Sequence, residues 1–380
     1  MVWWDRERYW HLVRPDAVEA IHNETFRRAL KWYYSVLLEG YPAKFVIAKS
    51  IPVEIDLSRA SLEELWDLHR ALAREFESRW REVREEGTRY SEFIKRYGSA
   101  SPSFVTLKAE IARRMIRKCC FCERRCGVDR ASGAIGACRV DGRTYVHSWF
   151  LHLGEEAPLV PSGTIFYGGC NFACVYCQNW DISQVSPREG VVVDASRLAL
   201  MQKELASRGA RNINHVGGDP IPNTHTILES LEYLDVNIAQ LWNSNFYMTP
   251  ETMELLIHVM DIWLPDFKYG NDECAKRLSG VDRYVETVVR NLRVAIEWGD
   301  MIIRHLVLPN HVECCTKPVL KMIADNLPKD RVLVNIMDQY RPEHRAYSYR
   351  DIARRPRPRE LEEAYSYADS LGLLWRDISR

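Results

Sequence analysis

The sequence predicts an α/β fold: a curved, incomplete barrel of six β/α units, with a cysteine-rich metal-binding subdomain and an α-helical N-terminal region ahead of it. Three observations carry this. From Thr164 onward, short apolar runs alternate with helical segments, the texture of parallel strands joined by crossovers. Eight of the eleven cysteines fall between residues 119 and 177. The residues before them hold no cysteine and read mostly as helix. The expected division is 1–117 helical, 118–160 cysteine-rich, 161–345 barrel, and 346–380 a C-terminal helical extension.

In the N-terminal region, Asp16 to Leu38 places Val18, Ile21, Phe26, Leu30, Tyr33, Tyr34 and Leu37 near helical spacing. A second helix starts at Ser61, with Glu64 three residues on in the reciprocal capping pattern, and runs through Leu65, Leu68, Leu72 and Phe76. A third spans Phe104 to Ile116. Trp3, Trp4, Trp10, Trp32, Trp66 and Trp80 crowd the first eighty residues, as a helical layer buried against a neighbour would require.

In the barrel, strands are expected at Thr164–Tyr167, Asn212–Val216, Leu241–Ser244, Ile262–Phe267, Ile302–Leu308 and Val332–Met337. Asp194 caps a helix that Gly209 stops, Thr249 precedes Pro250, and Thr316 stands two before Pro318. Six units are too few to close an eight-fold barrel, and the working edge of such a sheet lies at its C-terminal strand ends. Arg354 to Arg359 reads as an exposed loop.

Composition narrows the classes. Fifty-two Lys+Arg against fifty-two Asp+Glu leave no net charge, whereas a dedicated nucleic-acid binder is basic. No apolar run reaches the ~18 residues of a membrane span. The opening MVWWDRERYW lacks a basic segment followed by an apolar core. The expected location is the cytoplasm, where dense cysteine means metal or catalysis rather than disulfides.

The strongest signal is Cys170-Asn-Phe-Ala-Cys174-Val-Tyr-Cys177, just after the first barrel strand. Three thiolates on one loop can hold three corners of an iron–sulfur cubane, leaving one iron free for another ligand. A zinc knuckle is the plainer use of such a loop, but structural zinc takes four protein ligands.

With Tyr176 before its last cysteine, this loop resembles the cluster loop of radical S-adenosylmethionine (SAM) enzymes. Gly217-Gly218-Asp219-Pro220 ends the second strand and resembles that family's GGxP element, which meets the SAM amino group. Asp266-Phe267-Lys268 ends the fourth and resembles the DxK element of glycyl-radical-enzyme activases, whose lysine meets the SAM carboxylate. Arg304 stands where activases carry a comparable arginine. The runs GTIFYGGCNFACVYCQNWDIS, LPDFKYGNDECAKRLSG and RHLVLPNHVECCTKP are similar to an uncharacterised branch of the pyruvate formate-lyase activating enzyme-like proteins. The likeness covers roughly residues 118 to 345. It implies a [4Fe–4S] cluster on Cys170, Cys174 and Cys177, with SAM held by Tyr176, Gly217, Gly218, Asp219, Pro220, Asp266, Lys268 and Arg304. It also implies a 5′-deoxyadenosyl radical and a flavodoxin- or ferredoxin-like electron donor. Asp266 can instead join Asn243 and Ser244 around a monovalent cation. Activases read GGEP where this chain reads GGDP.

A second group, Cys119, Cys122, Cys126 and Cys138, follows C-x2-C-x3-C-x11-C with glycines between the ligands. Four thiolates suit a second [4Fe–4S] cluster or zinc, and spacing does not decide. Cys120 reads as a bystander. From Lys108 to Arg130, eight Lys/Arg outnumber three Asp/Glu; this is either a docking patch for an acidic protein, donor or RNA, or helix solvation and cluster compensation. Cys314-Cys315 either ligates metal, carries a thiol to substrate or packs at a helix start; Cys274 reads as packing. His152, His215, His305 and His344 are acid–base candidates, each without a visible partner. Asp338, Gln339, Tyr340 and Arg341 end the sixth strand and can line a substrate mouth.

The substrate stays open. A protein, as in glycyl-radical activation, suits an open barrel side. A small molecule or lipid precursor, with the N-terminal helices as lid or pocket wall, is the alternative. A non-catalytic electron-transfer module is a third.

Overall fold

The structure, a computed structural model, describes residues 12–379; Trp3, Trp4 and Trp10 lie outside that range. Its frame is one sheet of eight strands: β1 (Thr144–His152), β2 (Ser162–Tyr167), β3 (Val191–Val193), β4 (Asn212–Gly217), β5 (Ala239–Ser244), β6 (Ile262–Pro265), β7 (Asp300–Leu306) and β8 (Val332–Met337). Their order is β3-β1-β2-β4-β5-β6-β7-β8. From β2 to β8 every pairing is parallel, and these are the six expected strands.

Two strands were not legible. β1 pairs antiparallel with β2 and β3, adding an edge to the parallel set. It lies where only cysteine-rich chain was expected. The alternation that would have betrayed it is weak, because its second half is only part-covered on both faces.

The helices follow their local chemistry. Ser61 and Glu64 close the reciprocal cap, Ser61 N donating to Glu64 Oε2 at 2.6 Å and Glu64 N to Ser61 Oγ at 3.2 Å, and the helix runs Leu62–Glu86. Asp194 Oδ1 accepts Arg197 N at 2.8 Å at the head of Ala195–Ser207. The expected helix over Asp16–Leu38 is instead broken into Pro15–Glu19, Glu24–Ala29 and Lys31–Tyr34, followed by a π-turn at Ser35–Glu39. One cause is local, Asn23 capping a new start through Phe26 N; the other is tertiary, the Tyr33 amide donating to the distant Asp300 carboxylate at 2.7 Å. Arg354 to Arg359 is a loop only in part, since Pro358 opens the Pro358–Leu371 helix.

The N-terminal helices seal the barrel at the N-terminal strand ends. Asp261, just before β6, accepts Trp32 Nε1 at 2.8 Å, Lys44 N at 2.9 Å and Gln240 N at 2.8 Å. The wholly buried Lys44 ammonium donates to the carbonyls of Ile257, Met260 and Trp298 and lies over the Trp80 ring. Burial pulls its pKa down to about 7, against the pull of Asp261 and Asp300. One continuous hydrophobic core joins this layer to the barrel. Among the described residues, no helix is long and apolar enough to cross a membrane.

Candidate active site

At the opposite, C-terminal strand ends, a cavity of about 220 Å³ opens. Cys170, Cys174 and Cys177 line it from the loop after β2, Gly217–Asp219 from β4, Asp266 and Lys268 from β6, and Arg304 from β7. These residues come from four strands and meet because parallel β/α units bring every strand's C-terminal end to one edge. Tyr176, Asn243 and Ser244 reach the same cavity; Pro220 does not line it.

The cysteine loop is held from behind. Ala173 N donates to Ser279 O at 3.0 Å and Val175 N to Leu278 O at 2.9 Å. A side-chain chain runs from Tyr176 to Tyr269 (2.7 Å), Ser279 (2.5 Å) and Cys174 Sγ (2.9 Å). Ser183 Oγ lies 3.4 Å from Cys177 Sγ, and Phe172 N donates to Cys170 Sγ at 3.3 Å. Burial pushes the Cys170 thiol well up and the Cys174 thiol to about 11. A bound metal group would supply the positive charge that thiolates in this position need.

Gly217 has φ +115°, and a Cβ there would stand 2.2 Å from Tyr167 N. A Cβ on Gly218 would stand 2.3 Å from Gly169 O. The two glycines therefore let the β4 end press against the cysteine loop, leaving bare backbone on the cavity wall. The Asp219 carboxylate turns to the backbone, accepting Ile221 N and Asn245 N at 3.0 Å each. Burial raises its pKa to about 7 against those bonds. The aspartate in place of glutamate thus locks its own loop to the end of β5.

Lys268 Nζ donates to Asp266 Oδ2 at 2.7 Å. Burial opposes the Lys268 charge, but Asp266 and then Cys174 outweigh it and hold the ammonium above its ordinary range. Arg304 is paired twice: Nε donates to Glu156 Oε1 at 2.8 Å, and Nη2 engages Glu155. Burial is the largest single influence and raises the Glu155 carboxyl, but the charges and hydrogen bonds of Arg304 and His152 together lower it more, and it rests at about 2. Glu155 and Glu156 were not singled out in the sequence, since only the fold carries the segment before β2 to β7.

Arg304 and Met337 are shared with a larger cavity of about 710 Å³ between the β1–β2 turn and β8. Residues 14–26 and 377–379 wall it, linked by Asn23 Nδ2 to Asp377 Oδ2 at 3.3 Å. His152, Asp338 and Gln339 line it. Tyr340 is instead buried, donating to Ile352 O at 2.7 Å, and Arg341 pairs with Glu343. His215 lies in the core between Tyr167 and Gln240, and His305 between Phe267 O and Thr316. His344 stacks on Trp180.

The second cysteine group gathers beside the first. Cys119 and Cys138 are buried, Cys122 is half-buried and Cys126 exposed. The buried Arg130 guanidinium reaches Cys119 Sγ at 3.6 Å and the carbonyls of Asp141 and Pro222 at 2.8 Å each. Asn245 Nδ2 lies 3.7 Å from Cys170 Sγ and donates to Asn171 Oδ1 at 2.6 Å. The basic run around this group is largely consumed internally. Lys108 is buried against His69 and His258, Arg113 and Arg114 pair with Glu110, and Arg125 pairs with Glu123 and Glu251. Arg113, Arg117, Lys118 and Arg125 are exposed, but Arg113 and Arg125 already face carboxylates, which leaves little of the run's excess charge for a docking patch.

A model of the Radical SAM superfamily matches residues 164–323. The uncharacterized protein MJ0674 of Methanocaldococcus jannaschii is 43% identical over 346 residues, 90% of this chain and 97% of the relative. Among solved structures, Streptococcus suis SuiB bound to S-adenosylmethionine aligns at 12% identity with a TM-score of 0.39, over 54% of this chain and 47% of its own. A domain of pyruvate-formate lyase-activating enzyme from Bacteroides vulgatus aligns at 16% identity with a TM-score of 0.34, over 43% of this chain and 96% of its own.

Proposed function

The chain belongs to the radical SAM superfamily, and from that premise we propose that it cleaves SAM reductively in the 220 Å³ cavity and directs the radical at a small polar substrate held in the adjoining 710 Å³ cavity. Membership implies an enzyme, a [4Fe–4S] cluster, SAM and a source of electrons; the finer assignments below are our reading. The donor set fits the cluster: three thiols face one cavity, beside a half-buried cation and glycine backbone that lines the wall. Cys170, Cys174 and Cys177 would hold a [4Fe–4S] cluster, which would supply the electron for reductive SAM cleavage and so the means of hydrogen-atom abstraction.

The chain's own residues do the positioning. Backbone at Gly217 and Gly218 accommodates the SAM amino group. Lys268 offers its ammonium to the SAM carboxylate, its charge maintained by Asp266. Arg304 stands at the boundary of the two cavities, where it can meet either ligand. Asp266, Asn243 and Ser244 are the donors for a monovalent cation in this reading. Closed packing around Tyr176, Tyr269 and Tyr284 keeps water from the cluster's protein side.

Cys119, Cys122, Cys126 and Cys138 take a second iron–sulfur cluster in this reading. Their thiols are not drawn to within 4.8 Å of one another, as the donors of a single tetrahedral ion would be. A flavodoxin- or ferredoxin-like protein is the electron donor, and the reducing cytoplasm is the setting that suits eleven free cysteines.

The observation that carries the substrate assignment is the walled lateral cavity. A polypeptide substrate would use the open side of a six-stranded barrel, and residues 14–26 stand there with the 377–379 segment. The cavity's size falls in the range of small-molecule sites, about 300–1,000 Å³. Anaerobically reconstituted protein with dithionite and SAM should form 5′-deoxyadenosine, faster with a protein-free metabolite extract. Stimulation by the protein fraction alone would overturn the small-substrate reading.

A further inference from the structure

Four side chains that the cluster chemistry leaves unused converge on the far side of the helix behind the cysteine loop. Cys274 sits in the first turn of Asp272–Ser279; His311, Cys314 and Cys315 belong to the turn after β7. Their ligand atoms all lie within 4.8 Å of one another, and among the described residues they are the one such group.

We propose that Cys274, His311, Cys314 and Cys315 form a structural zinc site.

The distances are those of a tetrahedron. His311 Nδ1 lies 3.7 Å from Cys274 Sγ, 3.3 Å from Cys314 Sγ and 3.7 Å from Cys315 Sγ. Cys314 Sγ lies 4.0 Å from Cys274 Sγ and 3.9 Å from Cys315 Sγ. Zinc at about 2.3 Å from sulfur and about 2.0–2.1 Å from nitrogen gives tetrahedral edges of about 3.8 Å and about 3.6 Å respectively. On these five edges the donors need to move by only a few tenths of an ångström, and the sixth, Cys274 Sγ to Cys315 Sγ, is within 4.8 Å. Three cysteines and one histidine are a closed structural set, with no position left for water or substrate.

The surroundings select the right histidine tautomer. His311 Nε2 lies 2.9 Å from Asp351 Oδ2. A carboxylate behind the ring keeps the proton on Nε2 and the lone pair on Nδ1, where the three sulfurs are. Arg277 pairs with the same Asp351 and lies 3.3 Å from Nε2. Its positive charge faces a site that three thiolates and a dication leave net negative. Cys315 and His311 are buried and Cys314 is exposed, which provides an entry path for the ion.

Backbone contacts hold the two loops in register. Asn271 caps the helix through Cys274 N at 2.8 Å and donates to Cys314 O at 2.7 Å. A Cβ on Gly270 would stand 2.8 Å from the carbonyls of both Cys314 and Cys315. The ion would thus tie the loop carrying Lys268 to the turn after β7. It would also fix the helix whose Leu278 and Ser279 carbonyls hold the cluster loop.

The test uses the full chain, purified anaerobically without chelator. About one zinc per chain should be present, with a zinc K-edge absorption spectrum fitted by three sulfurs and one nitrogen. Cys274→Ser with Cys314→Ser should remove that zinc and leave the iron content unchanged. Replacing Cys119, Cys122, Cys126 and Cys138 by Ser should leave it in place. Retention of zinc by the first variant, a shell without sulfur, or a Cys274–Cys314 disulfide in anaerobically alkylated protein would each overturn the assignment. Should the first variant be insoluble, the wild-type chain decides: alkylation of the exposed Cys314 should be slow until a chelator is added. Equal rates with and without chelator would refute the site.

Discussion

The amide of Cys170 donates to the carbonyl of Cys138 at 3.2 Å, so the two cysteine groups meet through one backbone hydrogen bond. Disturbing either should be felt by the other. Cys138→Ala should remove the second group's electron-paramagnetic signal and shift the SAM-responsive one without abolishing it. Ala at Cys170, Cys174 and Cys177 together should abolish 5′-deoxyadenosine formation and shift the second group's signal without removing it. SAM cleavage surviving the triple change would refute the site.

Arg304 is the counter-charge of two carboxylates, Glu155 and Glu156, that are nearly out of solvent. Arg304→Met strands both. At neutral pH the loss should be about 3–5 kcal/mol, the usual cost of breaking a buried pair from one side. Glu155, held at about 2 against an ordinary 4.5, contributes stability that is complete above pH 4.5 and is lost as pH falls through 2. The difference between wild type and variant should therefore shrink across that window, which thermal melts at stepped pH would reveal.

His215 has no part in the proposed chemistry. Burial depresses its pKa from 6.5 to about 4, so the folded chain keeps it neutral where the unfolded chain protonates it. Its contribution is present above pH 6.5 and lost as pH falls through 4. Relative to His215→Gln, the wild type should lose about 3 kcal/mol over that interval, at about 1.36 kcal/mol per unit. Denaturant titrations at pH 4, 5, 6 and 7 would measure it, and a flat difference would mean a charged or solvated ring.

Removing residues 1–117 would leave Asp261 and Asp300 without Trp32, Tyr33 and Lys44 and expose the apolar floor of the barrel. The shortened chain should aggregate on expression. Trp32→Ala in the full chain should cost about 3–5 kcal/mol, and it should melt in one transition because the helical layer and barrel share a core. Two separated transitions would contradict that.

What could be read from the sequence was what local chemistry dictates. The Ser61–Glu64 cap, the Asp194 cap and the three-cysteine loop are each written within a few residues, and the parallel strands show as apolar runs because both faces are covered. What escaped was set by topology. His311 stands thirty-seven positions from Cys274, and only the return of the chain through β7 brings them together. Glu155 meets Arg304 across 149 positions, and no spacing rule reaches that far. The helix over Asp16–Leu38 failed in part for the same reason: its apolar spacing was right, but Asn23 starts a new turn and Asp300, 267 positions away, takes the Tyr33 amide.

Arg304 shares with Met337 the boundary between two chambers. A ligand that, from either side, draws Arg304 Nε and Nη2 away from Glu155 and Glu156 leaves two carboxylates that repel any anion arriving next door. Occupancy of one room is thereby written into the affinity of the other, equally in both directions. The nucleotide and its target would sense each other without touching.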